Sequence, residues 1–497
     1  MFISGKILDQ LDLKIITKLN EIIPRLALKD STIWGAQSEA HQRLGWLDSP
    51  RLSRQLLPEL DAITAWARAH RYESFILCGM GGSSLAPEVI TAASGKALTV
   101  LDSTSPDQIW KATPKQLEKT LMIFASKSGT TIETLSHLKY FKDLISKRGL
   151  DPKEHILIIT DPNTDLDKEH RKLGYRVFNG DPLVGGRFSA LTTFGLLPSA
   201  LVGCDTSLLL DDAESASKTL LKDNSPAVLI AAAFYSKSEQ IINFMDSKSS
   251  TPGLSNWIEQ LIAESTGKNG KGRLPVLSNK VQSGEKNLSV GFEDGNFDLI
   301  VKASLGEHFI LWEVVTSLLC FLLSVDPFAQ PDVANAKEKT SEILSSSTIK
   351  STFDLIIDNK DCLITSNQSI RSVAEFLNLK PAYFAILAYL PKDIKYDGAQ
   401  LQELINLRSN TATTFGWGPR YLHSTGQIHK GGQPNGAFIQ ITHQIESDLG
   451  IPDEKFTFGD LFSAQAHADA QSLSELGLPV IQIHLKNTKA NLLDLFN

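Results

Sequence analysis

Short apolar runs alternate with helical apolar spacing through residues 71–180. Five runs have the length and composition of buried strands: Ser74–Cys78, Ala97–Leu101, Leu121–Ala125, His155–Thr160 and Tyr175–Phe178. Helical segments separate these runs. This alternation predicts a doubly wound, mostly parallel α/β sheet, whose ligands bind beyond the carboxyl ends of the strands.

Two polar intervals divide the rest of the chain, one at about Asp211–Ser225 and one at Ser345–Lys350. Strand and helix patterns resume after each of them, and the residues before the first strand have the spacing of packed helices. We therefore expect a helical lead-in over 1–70, a first α/β domain over 71–210, a second over 211–345 and a C-terminal α/β segment over 346–497.

Composition excludes several classes of protein. The 497 residues are 42% hydrophobic and 21% charged, with a net charge of −7 and no basic stripe, so nucleic acid is not an expected partner. No apolar run reaches the roughly 18 residues of a membrane span, and the start lacks the basic region of a signal peptide. The four cysteines are far apart and predict reduced core residues. We expect a soluble cytoplasmic protein.

The stretch ASKSGTTIET, Ala125–Thr134, places five hydroxyl side chains and one lysine between a strand and a helix. Backbone N–H groups at a helix start, with Ser and Thr hydroxyls beside them, bind anions such as phosphate. An ordinary Ser/Thr cap of a helix is the alternative interpretation.

A second turn, GMGGSS at Gly79–Ser84, follows the first strand, and Asp102 ends the next one. The arrangement imitates a dinucleotide fingerprint, but Ser84 occupies the sixth position, where a Rossmann turn needs glycine. Contact of Ser83 and the Gly81–Gly82 amides with a sugar hydroxyl or phosphate is the better functional interpretation. A tight turn without a ligand remains open.

Two further features suggest acid–base chemistry. Arg187 follows two glycines and is either a surface helix-start arginine or an anchor for an anion or a developing enediolate. Gln260 and Glu264 stand four residues apart on one face of a helix, where Glu264 is either a solvated carboxylate or a base.

Five separated stretches together resemble the phosphoglucose isomerase family, whose two sugar-isomerase (SIS) domains share one active site. They are GMGGSS, ASKSGTTIET, VGGRFS, QLIAES and FAQPDVANAK, and they extend over most of residues 70–340. The resemblance implies two doubly wound SIS-type domains, with the C-terminal segment completing the second domain as a permuted part.

The resemblance also implies a role for each matching residue. Glu264 is the expected base, Arg187 stabilises the intermediate, and Lys337 acts with them at the site. The expected substrate-binding residues are Gly82, Ser83, Ser126, Lys127, Ser128, Thr131, Gly186, Gln260 and Gln330, of which Ser126, Lys127, Ser128 and Thr131 surround the phosphate. Neither a metal nor another cofactor is implied.

The chain departs from the family in where its histidine block stands. The family places the ring-opening histidine before the lysine signature, where this chain has only His308, in an apolar helix pattern. The matching block, YLHSTGQ, comes after the signature, as in the isomerase half of transaldolase–phosphoglucose isomerase fusions. We therefore assign ring opening to His423 in preference to His308, His429 or His467, with Glu133 orienting it.

By resemblance, the expected function is reversible aldose–ketose isomerisation of glucose 6-phosphate and fructose 6-phosphate through ring opening and an enediol. The family is usually dimeric with a histidine reaching across the interface, so a homodimer is expected, and His423 acting in cis or from a partner subunit both stay open. The alternatives are a non-catalytic sugar-phosphate sensor and, further off, an NAD-binding oxidoreductase.

Overall fold

A computed structural model describes residues 1–236, 241–246, 248–282, 287–332, 334–346, 353–392, 398–486 and 492–496, without the side chains of residues 236, 334–337 and 346. Three β-sheets with helices packed around them make up the fold. The predicted α/β class with mostly parallel sheets is confirmed. The domain limits inferred from the sequence stay a prediction, and residues 347–350 of the second polar interval lie outside the described part.

The lead-in is more than a set of helices. Its elements are β1 (Phe2–Ser4), α1 (Leu13–Ala27), α2 (Ser49–Leu52) and α3 (Leu57–Ala69), with several 3-10 turns between α1 and α2. Strand β1 pairs antiparallel with the edge of the second sheet, and Trp46 is fully buried against Phe188. The lead-in therefore joins both halves of the molecule.

The first sheet has five parallel strands in the order β3-β2-β4-β5-β6. Its elements are β2 (Ser74–Gly79), α4 (Leu85–Ala93), β3 (Thr99–Leu101), α5 (Pro106–Ala112), β4 (Thr120–Ala125), α6 (Ile132–Lys147), α7 (Pro152–His155), β5 (Ile156–Thr160), α8 (Asp165–Leu173), β6 (Arg176–Asn179) and α9 (Thr193–Leu201). Gly79 pairs with Ala125. The Gly79–Ser84 turn and the ASKSGTTIET loop therefore leave the sheet side by side.

The second sheet has the order β1-β10-β9-β7-β8 and is parallel apart from β1. Its elements are α10 (Thr206–Leu220), α11 (Pro226–Ser236), β7 (Ile241–Met245), α12 (Leu254–Thr266), β8 (Leu274–Leu277), β9 (Asn287–Gly291), β10 (Leu299–Lys302), α13 (Leu305–Leu323) and α14 (Ala334–Ser346). Most of the polar interval near 211–225 is helical here, because α10 buries an apolar stripe that includes Leu209, Ala213 and Leu220.

Helix α13 is the one helix among the described residues long and apolar enough to cross a membrane. In the structure 83% of its apolar 18-residue stretch is buried inside the protein. It lies against α10, α11 and α12. Its composition therefore reflects a core position surrounded by protein on all sides.

The C-terminal segment forms a third sheet, in the order β11-β12-β16-β15-β13-β14. Its elements are β11 (Asp354–Asp358), β12 (Cys362–Ser366), α15 (Val373–Leu377), β13 (Tyr383–Ala388), α16 (Gly398–Ser409), β14 (Ala412–Trp417), α17 (Gly426–Gly431), β15 (Gly436–His443), α18 (Phe458–Glu475) and β16 (Val480–Leu485). The strands from β16 to β14 are parallel, and β11 and β12 are antiparallel to their neighbours.

The second and third sheets meet edge to edge at β8 and β14. No backbone pairing joins these strands among the described residues. Instead, the Gln282 side chain accepts from Thr413 N at 2.7 Å and donates to Thr413 O at 2.8 Å, and Gln402 donates to Leu277 O and Thr413 O. One hydrophobic cluster also contains residues from both sheets. The C-terminal segment therefore shares a core with the second sheet.

Candidate active site

A cavity of about 450 Å³ opens at the carboxyl ends of β2 and β4, where the lead-in, α12 and the third-sheet region also converge. Most of the residues singled out from the sequence line it: Gly82, Ser83, Lys127, Ser128, Thr131, Gly186, Arg187, Gln260, Glu264, Gln330 and His423. Ser126 is buried just beneath the wall. Residues from distant parts of the chain thus face one space.

The hydroxyl loop is held by its own side chains. Ser126 Oγ donates to Thr131 Oγ1 at 2.9 Å, and Ser128 Oγ lies 2.9 Å from Thr130 Oγ1. Gly129 takes a φ of +70°, which glycine adopts without strain. Thr131 precedes α6, and its side chain does not cap the helix. The first N–H groups of α6 therefore point toward the loop, as an anion site requires.

Lys127 is committed to protein partners. Its Nζ donates to both carboxylate oxygens of Asp161, at 2.7 and 2.8 Å, and to Asp181 O at 2.7 Å. Burial lowers the pKa of Lys127, while Asp161 opposes that effect. The three donors of this ammonium are therefore occupied, and the loop offers a ligand mainly hydroxyl and backbone groups.

The two glycine turns touch backbone to backbone. Gly81 has a φ of +54° and lies against Gln260 and His423, and a Cβ on Gly82 would stand 2.1 Å from Gly186 O. No side chain fits at that contact. The GMGGSS turn therefore needs glycine at position 82 so that the turn carrying Arg187 can approach the first sheet.

Glu264 is buried at the cavity wall between two partners. Arg187 Nη1 lies 3.2 Å from Glu264 Oε1, and Gln260 Nε2 donates to Glu264 Oε2 at 3.1 Å. The same Gln260 nitrogen donates to His423 O at 2.8 Å. Because both carboxylate oxygens are held, Glu264 has a fixed orientation toward the cavity.

Arg187 also anchors the loop that carries Gln330. Its Nε donates to Ser265 Oγ at 2.9 Å, and its Nη2 donates to Pro327 O at 2.7 Å. Only 2% of its side chain is exposed. The guanidinium therefore fixes both Glu264 and the 327–330 loop.

His423 and Glu133 form a hydrogen-bonded pair within one chain. His423 Nε2 lies 3.0 Å from Glu133 Oε1, which also accepts from Gln465 Nε2 at 2.7 Å. Thr104 Oγ1 donates to Gln465 Oε1 at 2.7 Å, which fixes the orientation of that amide. The resulting chain Thr104–Gln465–Glu133–His423 brings together the histidine and the glutamate predicted to orient it.

The alternative histidines do not line the cavity. His308 is buried in α13 beside Trp312, and burial lowers its pKa to about 3. His429 Nδ1 lies 3.1 Å from Tyr383 Oη, and burial lowers its pKa to about 3 as well. His467 Nδ1 lies 2.8 Å from the carbonyl oxygen of Ser463, inside α18.

Lys337 lies in α14, and its side chain is outside the described residues. One helical turn further on, Thr340 and Ser341 line a smaller cavity of about 200 Å³ that shares Ser128, Thr131 and His423 with the first. The predicted role of Lys337 therefore remains a prediction.

Sequence reasoning missed several residues of the site. Glu39 and Arg43 of the lead-in, Asp161 and Phe328 line the main cavity, and Gln465 lines the smaller one. Asp161 could have been noticed as the acid that ends β5, next to the strand of Lys127. No group of three or more His, Cys, Asp or Glu within the described residues could hold a metal ion.

Comparisons with known proteins agree with this fold. Residues 65–282 match the family described as phosphoglucose isomerase. A glucose-6-phosphate isomerase of Thermus thermophilus is 32% identical over 289 residues, which are 54% of this chain and 68% of that protein. A probable glucose-6-phosphate isomerase of Methanococcus maripaludis is 29% identical over 46% of this chain and 56% of its own length.

The crystal structure of a glucose-6-phosphate isomerase from Chlamydia trachomatis shares the fold. It has a TM-score of 0.56 and 18% identity, and the similarity covers 66% of this chain and 84% of that one. The class is therefore that of α/β sugar-isomerase folds. Within that class, the chain belongs to the phosphoglucose isomerase family.

Proposed function

We propose that this protein is a glucose-6-phosphate isomerase, which interconverts glucose 6-phosphate and fructose 6-phosphate through ring opening and an enediol. One observation supports this most directly. The fixed Glu264 carboxylate and His423, which is hydrogen-bonded to Glu133, line the same cavity as the hydroxyl loop. Sugar-phosphate isomerisation requires an anion site, a base and a ring-opening group in one place.

The phosphate group binds at the hydroxyl loop. The amides that begin α6 and the hydroxyls of Ser128 and Thr131 surround a dianion without a metal. Ser126 supports Thr131 from beneath the wall. This end fixes the sugar, so that its first two carbons reach α12.

Glu264 moves the proton between C1 and C2. Arg187 and Gln260 hold the two carboxylate oxygens, so the base meets the substrate in one orientation. A positioned general base contributes about 10²–10⁴-fold to the rate. The positive charge of Arg187 beside this carboxylate also stabilises the enediolate that forms there.

His423 opens the ring by exchanging a proton with the ring oxygen. Glu133 accepts a hydrogen bond from Nε2, which orients the imidazole. Gln260 Oε1 is buried without a hydrogen-bond partner among the described residues. An unpaired buried acceptor is costly, and a sugar hydroxyl donating to it removes that cost.

Binding of a sugar phosphate does not determine the oligomeric state of this protein or its location in the cell. The homodimer implied by the resemblance and the cytoplasmic location inferred from composition stay predictions. The ring-opening pair itself, Glu133 and His423, needs no second chain.

The decisive test is a coupled assay of fructose 6-phosphate conversion to glucose 6-phosphate, with glucose-6-phosphate dehydrogenase reporting the product. We expect turnover without added metal or nucleotide beyond what the coupling enzyme uses. Binding of the sugar phosphate without turnover would favour a sensor. Quenching or enhancement of NADH fluorescence by the protein alone would favour an oxidoreductase.

A further inference from the structure

The lead-in contributes two charged residues to the cavity. Glu39 and Arg43 line it together with Lys127 and Ser128 of the hydroxyl loop. The family match begins at residue 65, after this segment. Nothing in the sequence motifs assigns either residue a role.

The segment is fixed in place beside the arginine turn. Arg43 Nη1 donates to Pro182 O at 2.9 Å, and Gly45 N donates to Leu183 O at 2.9 Å. Leu44 and Val184 form an antiparallel bridge. These contacts therefore hold Arg43 in a defined position beside the segment that leads from β6 to Arg187.

Four side chains that are or can become cationic line the cavity among the described residues, and three of them are firmly paired. Lys127 is held by Asp161, Arg187 by Glu264, and His423 by Glu133. Among the described residues Arg43 has a long ion pair with Glu39 alone, whose Oε2 lies 3.7 Å from Arg43 Nε, and their side chains are 31% and 48% exposed. The charge of Arg43 is therefore the least committed of the four.

We propose that Arg43 binds the phosphate group of the sugar phosphate, and that Glu39 weakens this binding by competing for the same guanidinium. The inference rests on the proposed function, because the phosphate is that of its substrate. The planar guanidinium presents parallel N–H groups that match a phosphate, which a compact ammonium does not. Arg43 supplies a positive charge for the phosphate, because the ammonium of Lys127 is already paired with Asp161.

Electrostatics at the loop agree with this placement. Burial is the main cause of the lowered pKa of Lys127, and Arg43 lowers it further. Burial raises the pKa of Asp161, while Lys127 and Arg43 oppose that rise. The field of Arg43 therefore reaches the residues that adjoin the hydroxyl loop.

The test uses the full chain with Arg43→Gln and Glu39→Gln, and with Arg51→Gln as matched control. Arg51 lies in the same part of the chain with 62% of its side chain exposed, and it does not line the cavity. Calorimetry measures the Kd of inorganic phosphate, and the coupled assay measures KM and kcat for glucose 6-phosphate.

Arg43→Gln should weaken phosphate binding and raise KM by roughly tenfold, the loss of one charge-assisted hydrogen bond, with kcat little changed. Glu39→Gln should strengthen phosphate binding and lower KM. Arg51→Gln should change neither the Kd of phosphate nor KM. The Arg43 effect should shrink at high salt, because the pair is partly exposed.

Unchanged phosphate affinity in Arg43→Gln overturns the proposal. Phosphate affinity in Glu39→Gln that is weaker than or equal to that of wild type also overturns the proposal. This result does not depend on whether the arginine variant folds. If wild-type protein binds phosphate through Arg43 but turns over no sugar phosphate, the isomerase assignment fails and the anion site stands. Normal turnover with an unaltered KM in Arg43→Gln rejects the anion role alone.

Discussion

At the scale of single residues, the site depends on two carboxylates with different surroundings. Glu264 faces a guanidinium and an amide, whereas Glu133 faces an imidazole and an amide. Both are buried, at 7% and 4% exposure. The first environment suits a base that meets carbon-bound protons, and the second suits a carboxylate that holds a histidine in one orientation.

Glu264→Gln should abolish isomerisation while sugar-phosphate binding survives. The amide keeps the shape of the side chain and loses the proton acceptor, so turnover should fall at least about 10²–10⁴-fold. The coupled assay measures the loss and calorimetry the binding, with Glu118→Gln, exposed at the opposite end of β4, as control. Near-wild-type turnover would reject Glu264 as the base.

His423→Ala should slow turnover mainly on the cyclic sugar, because an open-chain substrate does not need the ring-opening proton.

Gln465→Ala should give a smaller loss of turnover on the cyclic sugar, since it frees Glu133 to turn away from His423. The KM of Gln465→Ala should change little, because the substitution leaves the hydroxyl loop intact. An equal loss on cyclic and open-chain substrates would argue against a ring-opening role for either side chain.

At the scale of elements, the turns that hold the site depend on close backbone contact. Gly82→Ala should lower activity by about 100-fold, because the new Cβ must push the two glycine turns apart by an ångström or more. Gly450→Ala is the control, since its Cβ would meet no atom within 4 Å. Activity assays and thermal melts of both variants check this. Wild-type activity in Gly82→Ala would mean that the turns tolerate separation.

Helix α13 contains a buried carboxyl whose charge is disfavoured. Burial raises the pKa of Glu313 well above its ordinary value of 4.5, and its Oε1 lacks a hydrogen-bond partner among the described residues. Above pH 4.5 the unfolded chain releases this proton while the folded chain retains it. Stability contributed by the protonated group is therefore lost as pH rises.

Glu313→Gln should therefore gain stability over wild type as pH increases from 5 to 8. The gain should be up to about 1.4 kcal/mol per pH unit until the folded pKa is passed. Melting temperatures of both proteins across this range measure it, with exposed Glu342→Gln as control. A difference that stays constant with pH would show that Glu313 is charged in the folded protein.

Sequence patterns located the first sheet better than the others, for physical reasons. Its strands β4 and β5 are buried at every position, so each is a nearly continuous apolar run. All five strands begin and end within two residues of the predicted limits. Strands such as β8 (LPVL) and β14 (ATTFGW) contain proline or polar residues and lack that signal. They form because neighbouring sheets and the glutamines at their edges supply the missing contacts.

At the scale of the whole molecule, site residues that belong to motifs were predictable and the rest were not. Gly82, Ser128, Arg187 and Glu264 stand in short contiguous stretches, and the structure brings them to one cavity. Arg43 and Gln465 reach the site only through packing of distant segments, which no local pattern encodes. The roles of all these residues stay predictions.

The lead-in, α12, the first-sheet loops and the third-sheet region of one chain together enclose the cavity. His423 lies 3.0 Å from Glu133 of its own chain, and we propose that this pair acts without a residue from a partner subunit. Turnover per chain should therefore stay constant on dilution, even where any homodimer dissociates. Mass photometry and the coupled assay on the same dilution series test this. Activity that falls in step with dissociation would mean that His423 acts across an interface.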